Sequence, residues 1–101
     1  MESYQLEFSK QFQKDLKKIP HSQIFWIIEV LEKLQKNPTG LNTRKLVDWE
    51  NSYRLRIGSY RVLYTIYHAK LVIFVAQVGH RKDIYRWHER RRRHYPRRLS
   101  W

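Results

Sequence analysis

Between Tyr53 and Trp87 the chain puts arginines where strand patterning would favour uncharged residues. Arg54 and Arg56 alternate with Tyr53, Leu55 and Ile57, so in an extended segment they share one face. Arg61 follows Gly58-Ser59, and Arg81, Lys82 and Arg86 follow the next apolar run. A two-residue loop with glycine first fits a type II′ hairpin. That loop sets the register: Ile57 faces Tyr60, Arg56 faces Arg61 and Leu55 faces Val62. Like charges directly opposite each other destabilise a sheet by up to roughly 1 kcal/mol. An anion held between them offsets that repulsion, so anion recognition is the chemistry these residues suit.

The flanking pattern predicts the elements that position them. Tyr4, Leu6 and Phe8 alternate with Gln5 and Glu7, which reads as a half-buried strand. Ser9 suits a helix N-cap, and Phe8, Phe12, Leu16 and Ile19 recur at helical spacing. Pro20 breaks that helix and suits the start of the next. Ile24, Ile27, Ile28, Leu31 and Leu34 mark a second amphipathic helix, which Asn37-Pro38-Thr39-Gly40 ends. Phe25 and Trp26 lie partly off its apolar stripe, as core or as a docking surface. Thr43 to Val47 reads as a short strand or an extended loop, and residues 48–52 as a polar loop. Tyr53–Ile57 and Tyr60–Tyr67 are strands. Leu71 to Val78 is the most apolar strand and is expected at the centre, after a His68-Ala69-Lys70 turn. A three-residue turn puts Gln77 beside Arg61; a two-residue turn would put Val78 there. The order is β-α-α-β-β-β: an α+β domain with a helical hairpin packed on an antiparallel sheet and a short basic C-terminal segment.

Composition narrows the function classes. A chain of 101 residues with 42% hydrophobic residues suits one domain with a modest core. It has no cysteine, which excludes disulfides and thiolate metal sites and fits a reducing compartment. The N-terminal residues lack a signal peptide's apolar run, and no run is long enough to cross a bilayer, so a cytoplasmic protein is expected. The net charge of +12 is unevenly placed. Residues 1–53 hold eight Lys/Arg against seven Asp/Glu, whereas residues 54–101 hold thirteen against two. A merely solubilising excess would be spread evenly; this one is built for a polyanion.

The segments RLRIGSYRVLY and VGHRKDIYR closely resemble the RelE family of the RelE/ParE toxin superfamily, the toxins of type II toxin–antitoxin pairs. The family pattern is basic-x-basic-x-G-x-Y-R-[VL]-x-Y, then an apolar strand, then V-G-[HK]-R and a tyrosine a few residues on. It is met at Arg54, Arg56, Gly58, Tyr60, Arg61, Val62, Tyr64, Val78, Gly79, His80, Arg81 and Tyr85. Ser59 stands where aspartate is common, a neutral turn substitution. The resemblance spans roughly residues 2–88. It makes residues 1–88 a RelE-like domain and leaves residues 89–101, with the Arg90 to Arg93 run, as a basic tail expected to be flexible.

The resemblance implies a ribosome-dependent endoribonuclease that cuts messenger RNA in the A site. The ribose 2′-oxygen attacks the adjacent phosphate and expels the next 5′-oxygen, giving a 2′,3′-cyclic phosphate without a metal or other cofactor. Carried over by position, Arg61 and Arg81 bind the scissile phosphate. Arg54 and Arg56 hold the backbone and favour the 2′-alkoxide. Tyr85 orients the 2′-hydroxyl or stacks on a base, and Lys82 and Arg86 add RNA contacts. Guanidinium groups stabilise a phosphorane-like charge without changing protonation. Some relatives carry lysines where this chain has Arg54 and Arg56, and arginine does not release its proton, so a base role at these positions is disfavoured. His80 and His88 have suitable intrinsic pKa values and are the candidate general acid and base. The resemblance also implies an acidic antitoxin partner besides the ribosome and messenger RNA. Two other readings fit the same scaffold: a ParE-like inhibitor of DNA gyrase, and a non-catalytic RNA-binding module. In both, the arginines do no chemistry. Tyr60, Tyr64 and Phe74 read as core.

Overall fold

The computed structural model describes residues 3–40, 42–47 and 49–84. Tyr85, Arg86, His88 and the basic tail lie outside the described residues, and so does Asp48 in the loop before the arginine hairpin.

The element order is β1 (Gln5–Phe8), α1 (Lys10–Leu16), α2 (His21–Leu34), β2 (Thr43–Lys45), β3 (Ser52–Ile57), β4 (Tyr60–Tyr67) and β5 (Val72–His80). The five strands form one sheet in the order β1-β5-β4-β3-β2. All neighbours are antiparallel except β1, which runs parallel to β5. The helical pair between β1 and the rest of the sheet supplies the crossover a parallel strand needs. The most apolar strand, β5, is interior, as its composition demands, with β4 at the centre of the order. The stretch left open as strand or loop is strand β2 over residues 43–45.

Local chemistry explains the helix boundaries. Ser9 caps α1: its hydroxyl accepts from the Phe12 amide at 2.9 Å. α1 ends at Leu16, short of Pro20, and the chain turns through residues 17–19. Pro20 is the N-cap of α2, and its carbonyl accepts from the Gln23 and Ile24 amides. Ile27, Leu31 and Leu34 bury one face of α2 on the sheet. With Phe12, Leu55, Ile57, Val62, Tyr64, Ile66, Ile73, Val75 and Val78 they make the main core. Tyr64 is fully buried, stacks on Tyr53, and donates its hydroxyl to the Pro38 carbonyl. Burial pushes its phenol well above the ordinary tyrosine range.

Two expectations about the last hairpin need correction. The β4–β5 turn has four residues, because Tyr67 pairs with Val72. It includes Leu71 at a φ of 54°. The register then shifts by one residue beyond Tyr64, a bulge at Ala76 on β5. An unbulged four-residue loop would bring Val78 opposite Arg61. The bulge brings Gly79 there instead and puts Gln77 opposite Leu63. Gln77 thus keeps its expected face but sits two pairs further along, opposite Leu63 instead of Arg61. Phe74 pairs with Thr65 and lies half-buried outside both apolar clusters, not in the core. The face away from the helices carries a second, smaller cluster of Leu46, Trp49, Leu63 and Ile84. Trp49, placed by its sequence neighbours in a polar loop, is only 5% exposed and covers that face.

Candidate functional site

The arginine hairpin forms with the expected pairing: Ile57 opposite Tyr60, Arg56 opposite Arg61, Leu55 opposite Val62. Gly58 has a φ of 59°, whereas Ser59 is not among the positive-φ residues, as a type II′ turn requires. Because side chains alternate, Arg54, Arg56, Arg61 and Leu63 share the face away from the helices. Strand β2 adds a pair the sequence did not reveal, Arg44 opposite Arg54. Two rows of paired arginines therefore lie side by side, Arg44 with Arg54 and Arg56 with Arg61.

The guanidinium groups of Arg61 and Arg56 are held by nearby carbonyl oxygens. Arg61 donates from Nη1 to the Gly58 carbonyl at 2.9 Å and to its neighbour's, Tyr60, at 2.9 Å. Arg56 donates from Nη2 to Asn42 Oδ1 at 3.1 Å, and its amide donates to the Asn42 carbonyl at 2.9 Å. Asn42 sits at a φ of 67°, a conformation asparagine tolerates better than most residues. Arg81 opens a helical stretch over residues 81–84, and its amide donates to the Ser59 carbonyl at 2.8 Å. Ile84, buried against Leu63 and Trp49, anchors that stretch to the sheet. A turn at one end and an apolar anchor at the other thus bring Arg81 to the hairpin tip.

The outcome is a cleft of about 480 Å³ lined by Trp26, Val30, Asn42, Arg56, Ile57, Gly58, Arg61 and Arg81. Three of the arginines singled out in the sequence converge there. Arg54 stands one pair back on the same face, half-buried, and Lys82 is exposed beside Arg81. Trp26 and Asn42 were missed as site residues. Trp26's position off the apolar stripe was the only signal, and it did not say which cleft the ring faces.

His80 goes elsewhere. It pairs with Tyr60 and meets that ring edge-on at 6.5 Å. It lines a second cleft, of about 550 Å³, with Tyr60, Gln77, Asp83 and the α1 residues Gln11, Asp15 and Lys18. Alternation along β5 is the reason: Gly79 faces Arg61, so its neighbour faces the helices. In that second cleft Asp15 accepts from the Val78 amide at 3.1 Å and from Gln11 Nε2 at 2.8 Å. The buried Gln77 side-chain carbonyl has no hydrogen-bond partner among the described residues. Those residues contain no cluster of three or more His, Cys, Asp or Glu able to hold a metal, and no helix long and apolar enough to cross a membrane.

Comparison with known proteins agrees with this fold. A family model described as the ParE toxin of type II toxin–antitoxin system, parDE, matches residues 6–85. Toxin RelE3 of Methanocaldococcus jannaschii is 37% identical over 82 residues, covering 77% of this chain and 91% of that protein. The same organism's putative toxin RelE1 is 29% identical over 86 residues, covering 82% and 96%. Among solved structures, the RelB–RelE antitoxin–toxin complex from Methanococcus jannaschii has 32% identity and a TM-score of 0.63 over 79% of this chain and 95% of that one. The RelBE2 toxin–antitoxin complex from Mycobacterium tuberculosis has 25% identity and a TM-score of 0.69 over 77% and 98%. The chain belongs to the RelE family of type II toxins.

Proposed function

We propose that this toxin is a metal-independent, ribosome-dependent messenger RNA endoribonuclease of the cytoplasm. The observation that carries the reading is the convergence of Arg56, Arg61 and Arg81 on one cleft beside a second arginine pair. In the proposed reaction the ribose 2′-oxygen attacks phosphorus, the bond to the next 5′-oxygen breaks, and a 2′,3′-cyclic phosphate and a 5′-hydroxyl end result. Arg61 and Arg81 stabilise the charge that builds on the phosphate oxygens, and Arg56 flanks them. Arg54, Arg44 and Lys82 hold neighbouring backbone phosphates. His80 takes no proton-transfer role here, because it lines the other cleft. Tyr85 and His88 are the candidates for orienting and deprotonating the 2′-hydroxyl. Solved neighbours pair RelE with RelB, which supports an antitoxin partner; in this reading its charge is acidic, complementary to the toxin's.

The test uses purified ribosomes with a defined codon in the A site. The wild type should cut the message there and leave a cyclic phosphate. Arg61→Ala and Arg81→Ala should each slow single-turnover cleavage by at least about a hundredfold while remaining folded. Growth arrest without any cleavage on programmed ribosomes would sink the reading. A second reading has its own support in the ParE description of the matching family model. It predicts inhibition of gyrase supercoiling in vitro, untouched by the presence of ribosomes.

A further inference from the structure

The arginine cleft is lined by two unlike kinds of side chain. Arg56, Arg61 and Arg81 supply the cations; Trp26 and Val30, from α2, supply apolar surface at the hairpin tip. Trp26 keeps 42% of its surface exposed although it stands on a helix whose other large apolar residues mostly pack inward. Its six-membered ring rests on the hairpin tip: a Cβ added at Gly58 would lie 2.8 Å from Trp26 Cη2 and 3.1 Å from Cζ3. The tip itself holds two arginines, through the Gly58 carbonyl to the Arg61 side chain and the Ser59 carbonyl to the Arg81 amide. One edge of the indole therefore rests against the element that sets the cations, while the residue as a whole stays partly open to solvent.

Cations and an aromatic ring lining one cleft suit a nucleotide better than a bare phosphate. Phosphate pairs with guanidinium, and a base stacks on an aromatic face, whatever its identity. The volume of about 480 Å³ falls within the usual range for small-ligand sites, about 300–1,000 Å³. We infer that Trp26 is a substrate-binding residue: its exposed ring stacks a base of single-stranded RNA whose backbone phosphate lies among Arg56, Arg61 and Arg81. The inference rests on the endoribonuclease reading for its substrate class, but it concerns binding and not cleavage.

The test compares Trp26→Leu and Trp26→Phe in the full chain, using a short labelled single-stranded RNA and an abasic backbone of the same length at one salt concentration. Trp26→Leu should bind the RNA about ten- to a hundredfold more weakly and the abasic strand within about twofold of wild type. Trp26→Phe should keep most of the RNA affinity. Arg56→Ala should weaken both probes alike. Loss of both probes in Trp26→Leu would reduce Trp26 to a prop for the hairpin and overturn the inference. So would wild-type binding of both probes, including the case in which only antitoxin binding is lost. A measurement on the wild-type chain guards against a misfolded variant: an RNA carrying 5-iodouridine should cross-link to Trp26 on irradiation, and cross-links confined to other aromatic residues overturn the inference. Failure of the wild type to cut messages on ribosomes leaves these binding outcomes intact, so the two readings fail separately.

Discussion

Asp15 shows how one side chain reports its surroundings. Its carboxylate accepts from the Val78 amide and Gln11 Nε2 where α1 meets β5. Burial pushes its pKa above the ordinary 3.8, more than the Gln11 and Val78 hydrogen bonds and the nearby Lys18 pull it down. The folded pKa therefore exceeds the unfolded one. For a raised acid the stabilising contribution is fully present below pH 3.8 and is lost as pH rises through the folded pKa. Asp15→Asn keeps an acceptor for the Val78 amide and removes the charge. Urea denaturation from about pH 3 to 7 should show the variant gaining on the wild type as pH rises. A gap that does not change with pH would mean the carboxylate carries no desolvation cost.

At the scale of elements, the β3–β4 hairpin is the device that makes the site. Its two-residue turn sets Arg56 against Arg61, its carbonyls hold Arg61 and Arg81, and Trp26 rests on it. Gly58 is required twice, by its φ of 59° and by the approach of the indole. Gly58→Ala should cost about 1–3 kcal/mol in chemical denaturation, from the left-handed backbone and the overpacking together. In a double-mutant cycle, Trp26→Leu should recover the overpacking part and leave the backbone part. Strict additivity would show that the indole yields freely. The bulge at Ala76 matters as much. It restores the alternation lost by the four-residue turn, so that Val78 faces the core and Gly79 leaves the space beside Arg61 free of a side chain.

For the whole molecule, the governing fact is charge placement: thirteen Lys/Arg against two acids after residue 53. Binding to single-stranded RNA releases counterions, with a slope of log K against log salt near −0.7 for each phosphate neutralised. With three arginines on one cleft and a second pair beside them, the slope should be about −2 or steeper. Arg56→Ala should make it shallower by about 0.7 without changing sequence preference. A slope unaffected by Arg56→Ala would move the phosphate contacts away from the cleft.

Local pattern was enough for much of this. The capping serine, the proline between the helices, the apolar stripe of α2 and the arginine hairpin with its register were all legible, because helix caps, period-3.6 faces and short turns depend on neighbours in the chain. The family motifs pointed to the same fold and to Arg54, Arg56, Arg61 and Arg81. Other features depend on residues far apart in sequence. The parallel pairing of β1 with β5 joins segments some seventy positions apart. The bulge, the Arg44–Arg54 pair, Trp49's cover of the open face and Ile84's anchor under Arg81 have no local signature. Nor does the place of Trp26 in the cleft of the arginines, or that of His80 in the other cleft. A basic hairpin suited to an anion follows from neighbouring residues alone. That Arg56, Arg61 and Arg81 share one cleft follows from the folded chain, because non-local contacts at Gly58, Ser59 and Ile84 set which side chains meet.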